Sequence, residues 1–413
     1  MSRVLVDSGI GYLGNIPNNW NIFRIKNAFE CEKNIVNDNW SNTQLLSLTT
    51  SGVKEKDIDN PNGKLPDSFD GYQYVEKNNI IMCLFDLDCS AVFSGISKYN
   101  GMISPAYKVL ECKEMMNPDY AGYYFNYISF DRKYMHYSKN IRYTLNYDEF
   151  SSLPMLIPPL EEQKRIASYL DKQYKKIDQI ITDNNSEINL LVEYKKNEVN
   201  NMISNYSYKN TKIKYLLDKL NIKTGPFGST LTGKTIDYSD YCVYSQANLI
   251  SNDFTKTKNY ISMEVYDTLI SYYAYPNDIL LSMMGTIGKC KIIPNGIKKG
   301  IIDSHIIKIS LNEKIINPKY FEIIYDKDSS NIVFNQLLYE SKGSIMDGLN
   351  TTIVKNLKIP LMNLDSQKDF LEKYHDFSNK IDQVIDYRKQ IIEKLEEYKK
   401  SLIYECVTGK REV

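Results

Sequence analysis

Residues 176–196 read KIDQIITDNNSEINLLVEYKK, and residues 380–400 read KIDQVIDYRKQIIEKLEEYKK. The two stretches lie a constant 204 positions apart. The match extends without a gap over 145–200 against 349–404, where 17 of 56 positions are identical. Unrelated segments of that length would share roughly three or four. A repeat that tolerates no insertion suits one continuous helix. The apolar spacing agrees. Leu170, Tyr174, Ile177, Ile181, Ile188 and Leu191 in the first copy recur four and three apart, as do Ile381, Ile385, Ile392, Leu395 and Leu402 in the second. That is a heptad seam, the interface expected of paired helices and of their partners. Each copy interrupts it at the same register with a polar residue, Asn184 or Arg388. Such a residue sits either at a splayed edge of the pair or in a polar layer that fixes register.

Outward from the seam, Pro158-Pro159 followed by Glu161 and Glu162 marks a helix start. Each helix would run about 40 residues, or about 60 Å. With about 200 residues between their starts, an antiparallel pair with a globular domain hung at each end is the natural arrangement. The segments before the helices are related more loosely. Ile25-Lys26 resembles Ile213-Lys214, and Asn79-Ile80-Ile81 resembles Asp278-Ile279-Leu280. Gly101 answers to Gly300, and Asn117-Pro118-Asp119-Tyr120 to Asn317-Pro318-Lys319-Tyr320. Short β-rich runs bounded by Gly, Asn, Asp and Pro (73–84, 279–284, 300–311) predict a mixed α/β domain with a curved sheet in each half. The expected fold is α+β. Two such domains, 1–155 and 209–359, alternate with two long antiparallel coiled-coil helices, 156–208 and 360–413, in an internal pseudo-twofold repeat.

Composition narrows the class. A chain of 413 residues has room for two to four domains at about 150 residues each. With 42% hydrophobic and 25% charged residues it is neither a disordered tail, a collagen nor a disulfide miniprotein. No run of about 18 apolar residues suggests a membrane span, and residues 1–20 lack the pattern of a secretory signal. Seven scattered cysteines without a C-x-x-C pair read as reduced thiols in a cytoplasmic protein. Lys plus Arg equals Asp plus Glu at 51 each, which leaves nucleic acid open because only the local patch matters there. The 34 tyrosines against 14 phenylalanines reflect either an AT-rich coding sequence or stacking on bases.

Catalytic motifs are weak. Asn117-Pro118-Asp119-Tyr120 and Asn317-Pro318-Lys319-Tyr320 resemble the N-P-P-Y loop of adenine methyltransferases but lack its second proline. Asparagine as helix cap with proline at the first helical position explains them better. Pro118-Asp119 with Asp131-Arg132-Lys133 fits a nuclease pattern too loose to carry weight, and its counterpart has Lys319 for the acid. His136, His305 and His375 lie far apart, with no zinc or triad spacing. Gly285-Thr286-Ile287-Gly288-Lys289 is not a phosphate loop and reads as a hairpin turn between strands. No metal site and no catalytic residue is expected.

The chain resembles the specificity subunits of type I restriction–modification systems. Gly14-Asn15-Ile16-Pro17-Asn18-Asn19-Trp20 resembles their I-P-x-x-W opening. Ile157-Pro158-Pro159-Leu160-Glu161-Glu162-Gln163-Lys164-Arg165-Ile166-Ala167 closely matches the start of their central helix. In the second copy Leu361-Met362-Asn363-Leu364-Asp365-Ser366-Gln367 keeps the Leu and Gln and loses the double proline. Thr224-Gly225-Pro226-Phe227-Gly228-Ser229 and Gly285-Thr286-Ile287-Gly288 are likewise typical of second target domains. The resemblance implies a non-catalytic reader of double-stranded DNA, each target-recognition domain binding one half of a bipartite target. The helices would set the spacer and dock two methyltransferase subunits for adenine-N6 methylation. S-adenosylmethionine would lie in those partners, and ATP and Mg²⁺ in restriction subunits that join them. The rival readings are a self-contained DNA methyltransferase or nuclease, and a coiled-coil scaffold that never touches DNA.

Base edges are read by loop side chains and phosphates by Lys, Arg and backbone N–H. In the first domain Ser47, Thr49, Thr50, Ser51 and Lys54 form one polar run, and Ser97, Lys98, Tyr99, Asn100 and Gly101 another. Arg142 stands before the helix as a phosphate anchor or an ion-pair partner. In the second domain Lys223, Thr224, Gly225, Ser229 and Lys234 frame a Gly-Pro turn, and Gln246 and Asn248 offer two-point contacts to adenine.

Overall fold

A computed structural model of the chain describes residues 3–31, 33–50, 52–58, 68–69, 71–88, 93–138, 143–226, 228–340 and 348–413. The chain divides into two compact units, 1–183 with 390–413 and 184–389. Each unit therefore holds one globular domain and a portion of both long helices.

The long helices are Leu160–Ser204 and Leu364–Val407, of 45 and 44 residues. In the first unit Tyr174 Oη donates to the Lys399 carbonyl at 3.1 Å, and Lys399 pairs with Asp178 at 2.9 Å. In the second unit Lys195 pairs with Asp382 at 2.7 Å, and Tyr206 Oη donates to Asp369 at 2.7 Å. Residue numbers rise along one helix as they fall along the other, so the pairing is antiparallel. Lys195–Asp382 and Lys399–Asp178 are the same contact displaced by the repeat, an isologous pair within one chain. Leu170, Ile177, Ile385 and Leu402 are buried, and Tyr174, Ile181, Ile188, Leu191, Ile381, Ile392 and Leu395 half-buried. The two polar seam residues meet. Arg388 Nη1 donates to Asn184 Oδ1 at 3.0 Å, and its Nη2 pairs with Glu187 at 2.5 Å. With Asn184 only 5% exposed, this is a polar layer and not a frayed edge.

In the first unit a four-stranded antiparallel sheet runs in the order Phe29–Glu30, Lys108–Cys112, Ile80–Met82, Ser94–Ile96. In the second the order is Leu217–Thr224, Ile306–Leu311, Ile279–Ser282, Cys290–Ile292, again antiparallel. These are the same sheet built twice. A strand then leads into each long helix. Pro154–Ile157 pairs with Asn21–Arg24, and Lys358–Leu361 with Lys209–Lys212. Both strands run across the boundaries expected at 155/156 and 359/360. The glycines that match in sequence match in role. A Cβ on Gly101 would lie 2.4 Å from the Gln44 carbonyl, and one on Gly300 2.6 Å from that of Cys242. Only glycine permits so close a neighbouring strand.

Helices Pro118–Ser129 and Pro318–Tyr325 follow the sheets. Asn117 and Asn317 cap them, accepting from Tyr120 N and Lys319 N, with proline at the first helical position. The first core is rich in tyrosine because each ring finds a partner for its hydroxyl. Tyr120, Tyr124, Tyr127 and Tyr134 are buried. Tyr120 Oη donates to the Leu156 carbonyl at 3.2 Å and Tyr127 Oη to that of Tyr12 at 2.5 Å. Leu402, Ile403, Cys406 and Val407 of the second long helix complete this core. Val199, Ile203 and Phe370 of the helices complete the other.

The motif at the first helix start acts as a brace. Gln163 and Gln367 are both fully buried. Gln163 Nε2 donates to the carbonyls of Met115 and Pro158 at 2.9 and 2.8 Å. Gln367 Nε2 donates to those of Ile315 and Met362 at 3.1 and 2.8 Å. Glu162 accepts from the Trp20 indole at 2.9 Å and pairs with Arg3, which explains why the I-P-x-x-W stretch and the acidic pair accompany each other. The second copy has Ser366 in place of Glu162. Without the double proline, Asn363 caps the second helix, its side chain accepting from Ser366 N at 2.8 Å.

Candidate nucleic-acid interface

In the first domain Leu46–Thr49 and Gly52–Glu55 form a hairpin that pairs Ser47 with Lys54 and Thr49 with Gly52. The period-two alternation buries Leu46, Leu48 and Val53 and turns Ser47, Thr49 and Lys54 outward. Thr49 Oγ1 donates to the Gly52 carbonyl at 2.8 Å and tightens the tip, where Thr50 is exposed. Ser51 and Arg142 lie outside the described residues, so neither is placed. Lys98 is exposed in a turn that buried Ser97 stabilises by donating to the Tyr99 carbonyl at 2.7 Å. Tyr99 packs its ring on the hairpin's apolar side. Asn100 accepts from Lys77 N at 2.8 Å, a brace for the loop.

The two polar runs converge. Thr49, Thr50, Gly52 and Lys98 line one groove of about 410 Å³ with Asp119, Tyr123 and Asp171. Burial, and then the neighbouring Asp171, push the Asp119 carboxyl above the usual carboxylate range. Tyr123 Oη donates to Asp171 at 2.7 Å; burial first, then that bond, push its phenol up. The lining thus carries two carboxyl groups, Asp119 and Asp171, and one lysine, Lys98.

In the second domain four loop segments meet. Gly225 N donates to the Ile306 carbonyl at 3.0 Å, and a Cβ there would lie 1.8 Å from the Asp303 carbonyl. Asp303 N donates to the Tyr244 carbonyl at 3.0 Å, and Met283 N to that of His305 at 3.2 Å. Gln246 Nε2 donates to the Met284 carbonyl at 2.6 Å and to Thr286 Oγ1 at 2.8 Å. Asp303 is raised above the usual carboxylate range, burial outweighing the His305 N–H that it accepts at 2.9 Å. Exposed Lys223 sets its ammonium 5.7 Å from the Tyr272 ring centre, while Thr224 is half-buried. Lys234 is exposed in a separate turn. Ser229 falls in helix Gly228–Leu231.

Asn248, expected at the surface, is 4% exposed. Its Oδ1 accepts from Ser245 N at 3.0 Å, and its Nδ2 donates to the carbonyls of Asp253 and Lys256 at 2.9 and 2.6 Å. It reaches back from the third helical position to the N-cap Ser245 and braces a loop, leaving no edge for a base. Sequence reasoning missed Met284 and His305 as loop partners, and took Thr286 only as part of a turn. The hairpin reading of Gly285–Gly288 was nevertheless sound, since Ile279–Ser282 and Cys290–Ile292 flank it as antiparallel neighbours. Among the described residues no three His, Cys, Asp or Glu side chains gather as a metal site. No helix among them is long and apolar enough to cross a membrane.

A twice-built α+β framework with diverged loops and two long paired helices defines the class of protein to which this chain belongs. The sequence matches the type I restriction modification DNA specificity domain over 17–190 and again over 220–397, and the chain belongs to that family. It is 25% identical over 281 residues to the type I restriction enzyme MjaVIII specificity subunit of Methanocaldococcus jannaschii. The match spans 63% of this chain and 63% of that relative. A chain solved in work on complex assembly and conformational transition of the type I R-M system superposes with a TM-score of 0.66 at 11% identity, over 96% of this chain and 99% of that one. The HsdS subunit from Thermoanaerobacter tengcongensis aligns over 96% and 98% of the two chains, with 13% identity and a TM-score of 0.44.

Proposed function

We propose that this chain is the non-catalytic DNA-reading subunit of a type I restriction–modification complex in the cytoplasm. Recognition domains 1–155 and 209–359 each bind one half of a bipartite double-stranded target. Helices 156–208 and 360–413 set the unread spacer and dock two methyltransferase subunits, which methylate adenine N6 with S-adenosylmethionine. Such an assembly has room for restriction subunits, which would use ATP and Mg²⁺.

One observation carries the reading: the two domains share a framework and differ where a ligand would be met. Both have the same sheet order and the same buried glutamine brace. At matching helix starts one carries Asp119 and the other Lys319. The first domain extends a hairpin where the second folds helix Gln246–Ser251. Shared scaffold with unlike loops suits two unlike half-sites. The test is methyl transfer from labelled S-adenosylmethionine to DNA by the methyltransferase subunits, with and without this chain. Target-specific transfer that needs the chain supports the reading. Partner subunits that find the same target without it would overturn it.

A further inference from the structure

One amide in the second domain is oriented from behind. Gln246 begins helix Gln246–Ser251 and is half-buried at the meeting point of the loops. Its Nε2 donates to the Met284 carbonyl at 2.6 Å and to Thr286 Oγ1 at 2.8 Å. A backbone carbonyl can only accept, so the nitrogen is the end that faces the 284–286 turn and Oε1 the end that faces away from it. The turn that holds it is itself fixed. Thr286 N donates to the Met284 carbonyl at 2.7 Å, and Ser282 Oγ donates to the Thr286 carbonyl at 2.5 Å. Gly285, at φ +67°, supplies the left-handed residue that the turn needs. Among the described residues nothing donates to Gln246 Oε1.

We infer that Gln246 is a specificity-determining residue of the second domain, selecting a base that offers an amino group on its major-groove edge. A free glutamine presents either end and pairs with donors or acceptors alike. Clamped by Met284 and Thr286, Gln246 presents an acceptor alone. It fits adenine N6 or cytosine N4 and opposes guanine O6 and thymine O4. Met284 and Thr286 are positioning residues, acting through the amide. The first domain has a hairpin in this place, so the effect belongs to one half-site. The inference rests on the DNA-reading function proposed above.

The test uses the full chain with its methyltransferase subunits and maps methylated adenines genome-wide. The wild type should require adenine or cytosine at one position of the half-site read by 209–359. Gln246→Ala should relax that position about tenfold, the worth of roughly one hydrogen bond. Thr286→Val should remove one of the two bonds that hold the amide and loosen the requirement for an amino group, less than Gln246→Ala does, while Thr286→Ser should restore the preference. An unchanged first half-site in each variant shows that the complex is folded and active. Identical preferences in wild type, Gln246→Ala and Thr286→Val would overturn the inference and leave DNA reading intact. A wild-type complex with no bipartite target would instead overturn DNA reading itself.

Discussion

The buried side-chain oxygen of Gln163 accepts the backbone N–H of Asn117 at 2.8 Å. Through this bond the long helix holds the residue that caps the preceding helix. Gln367 repeats it on Asn317 at 2.7 Å. Each glutamine makes three bonds to backbone groups, and with both residues fully buried water cannot replace them. Gln163→Leu or Gln367→Leu should therefore cost about 3 kcal/mol or more, since partners left buried and unpaired pay their full desolvation. Thermal melts of each variant check this. A loss of less than about 1 kcal/mol in both would show that the brace is dispensable.

This brace shows what was legible in the sequence. The identity of Gln163 and Gln367 could be read from the repeat, but not its purpose, because Asn117 and the Met115 carbonyl lie 46 and 48 residues away. The seam was legible because heptad spacing is local. Whether Asn184 and Arg388 frayed or paired was not, since only the partner helix decides it. Gln246 and Asn248 look alike in sequence, two residues apart. Contacts from 284–286 and 253–256 make one a half-buried clamped group and the other a buried brace.

The seam predicts an order of sensitivity. Ile385 is 7% exposed and Ile181 only half-buried. Ile385→Asp should bury an unpaired charge and cost several kcal/mol, with a smaller loss for Ile181→Asp. Wild-type melting and partner binding in both would mean that the seam is misplaced.

Asp119 gives a pH signature. Its folded carboxyl lies above the usual range, through burial and then Asp171. The folded state thus holds the proton more tightly than the unfolded chain does. This contribution favours folding below the unfolded value and is lost as pH rises through the folded one. Asp119→Asn should melt slightly higher than wild type at neutral pH, and the gain should vanish in acid. A gain that does not depend on pH would rule out titration as its cause.

Purified alone, the chain should transfer no methyl group and cleave no DNA, in keeping with its proposed role as a reader. Activity that co-purifies with the chain after every partner subunit has been removed would contradict that role.

The spacer prediction follows from the proposed ruler role of the paired helices. Seven residues inserted between Asp183 and Asn184, matched by seven between Lys389 and Gln390, keep the heptad phase of both seams. They also leave Asn184 facing Arg388, and Lys195 facing Asp382, because each pair stays on one side of the insertions. Each helix lengthens by about 10 Å at 1.5 Å per residue. DNA advances about 3.4 Å per base pair, so the spacer should grow by about three pairs while both half-sites keep their sequences. An unmatched insertion in one helix cannot keep the Asn184–Arg388 and Asp178–Lys399 pairings at once and should destabilise the pair instead. Mapping methylated adenines genome-wide reads the spacer directly. A stable, active double insertion that keeps the original spacer would show that helix length does not set it.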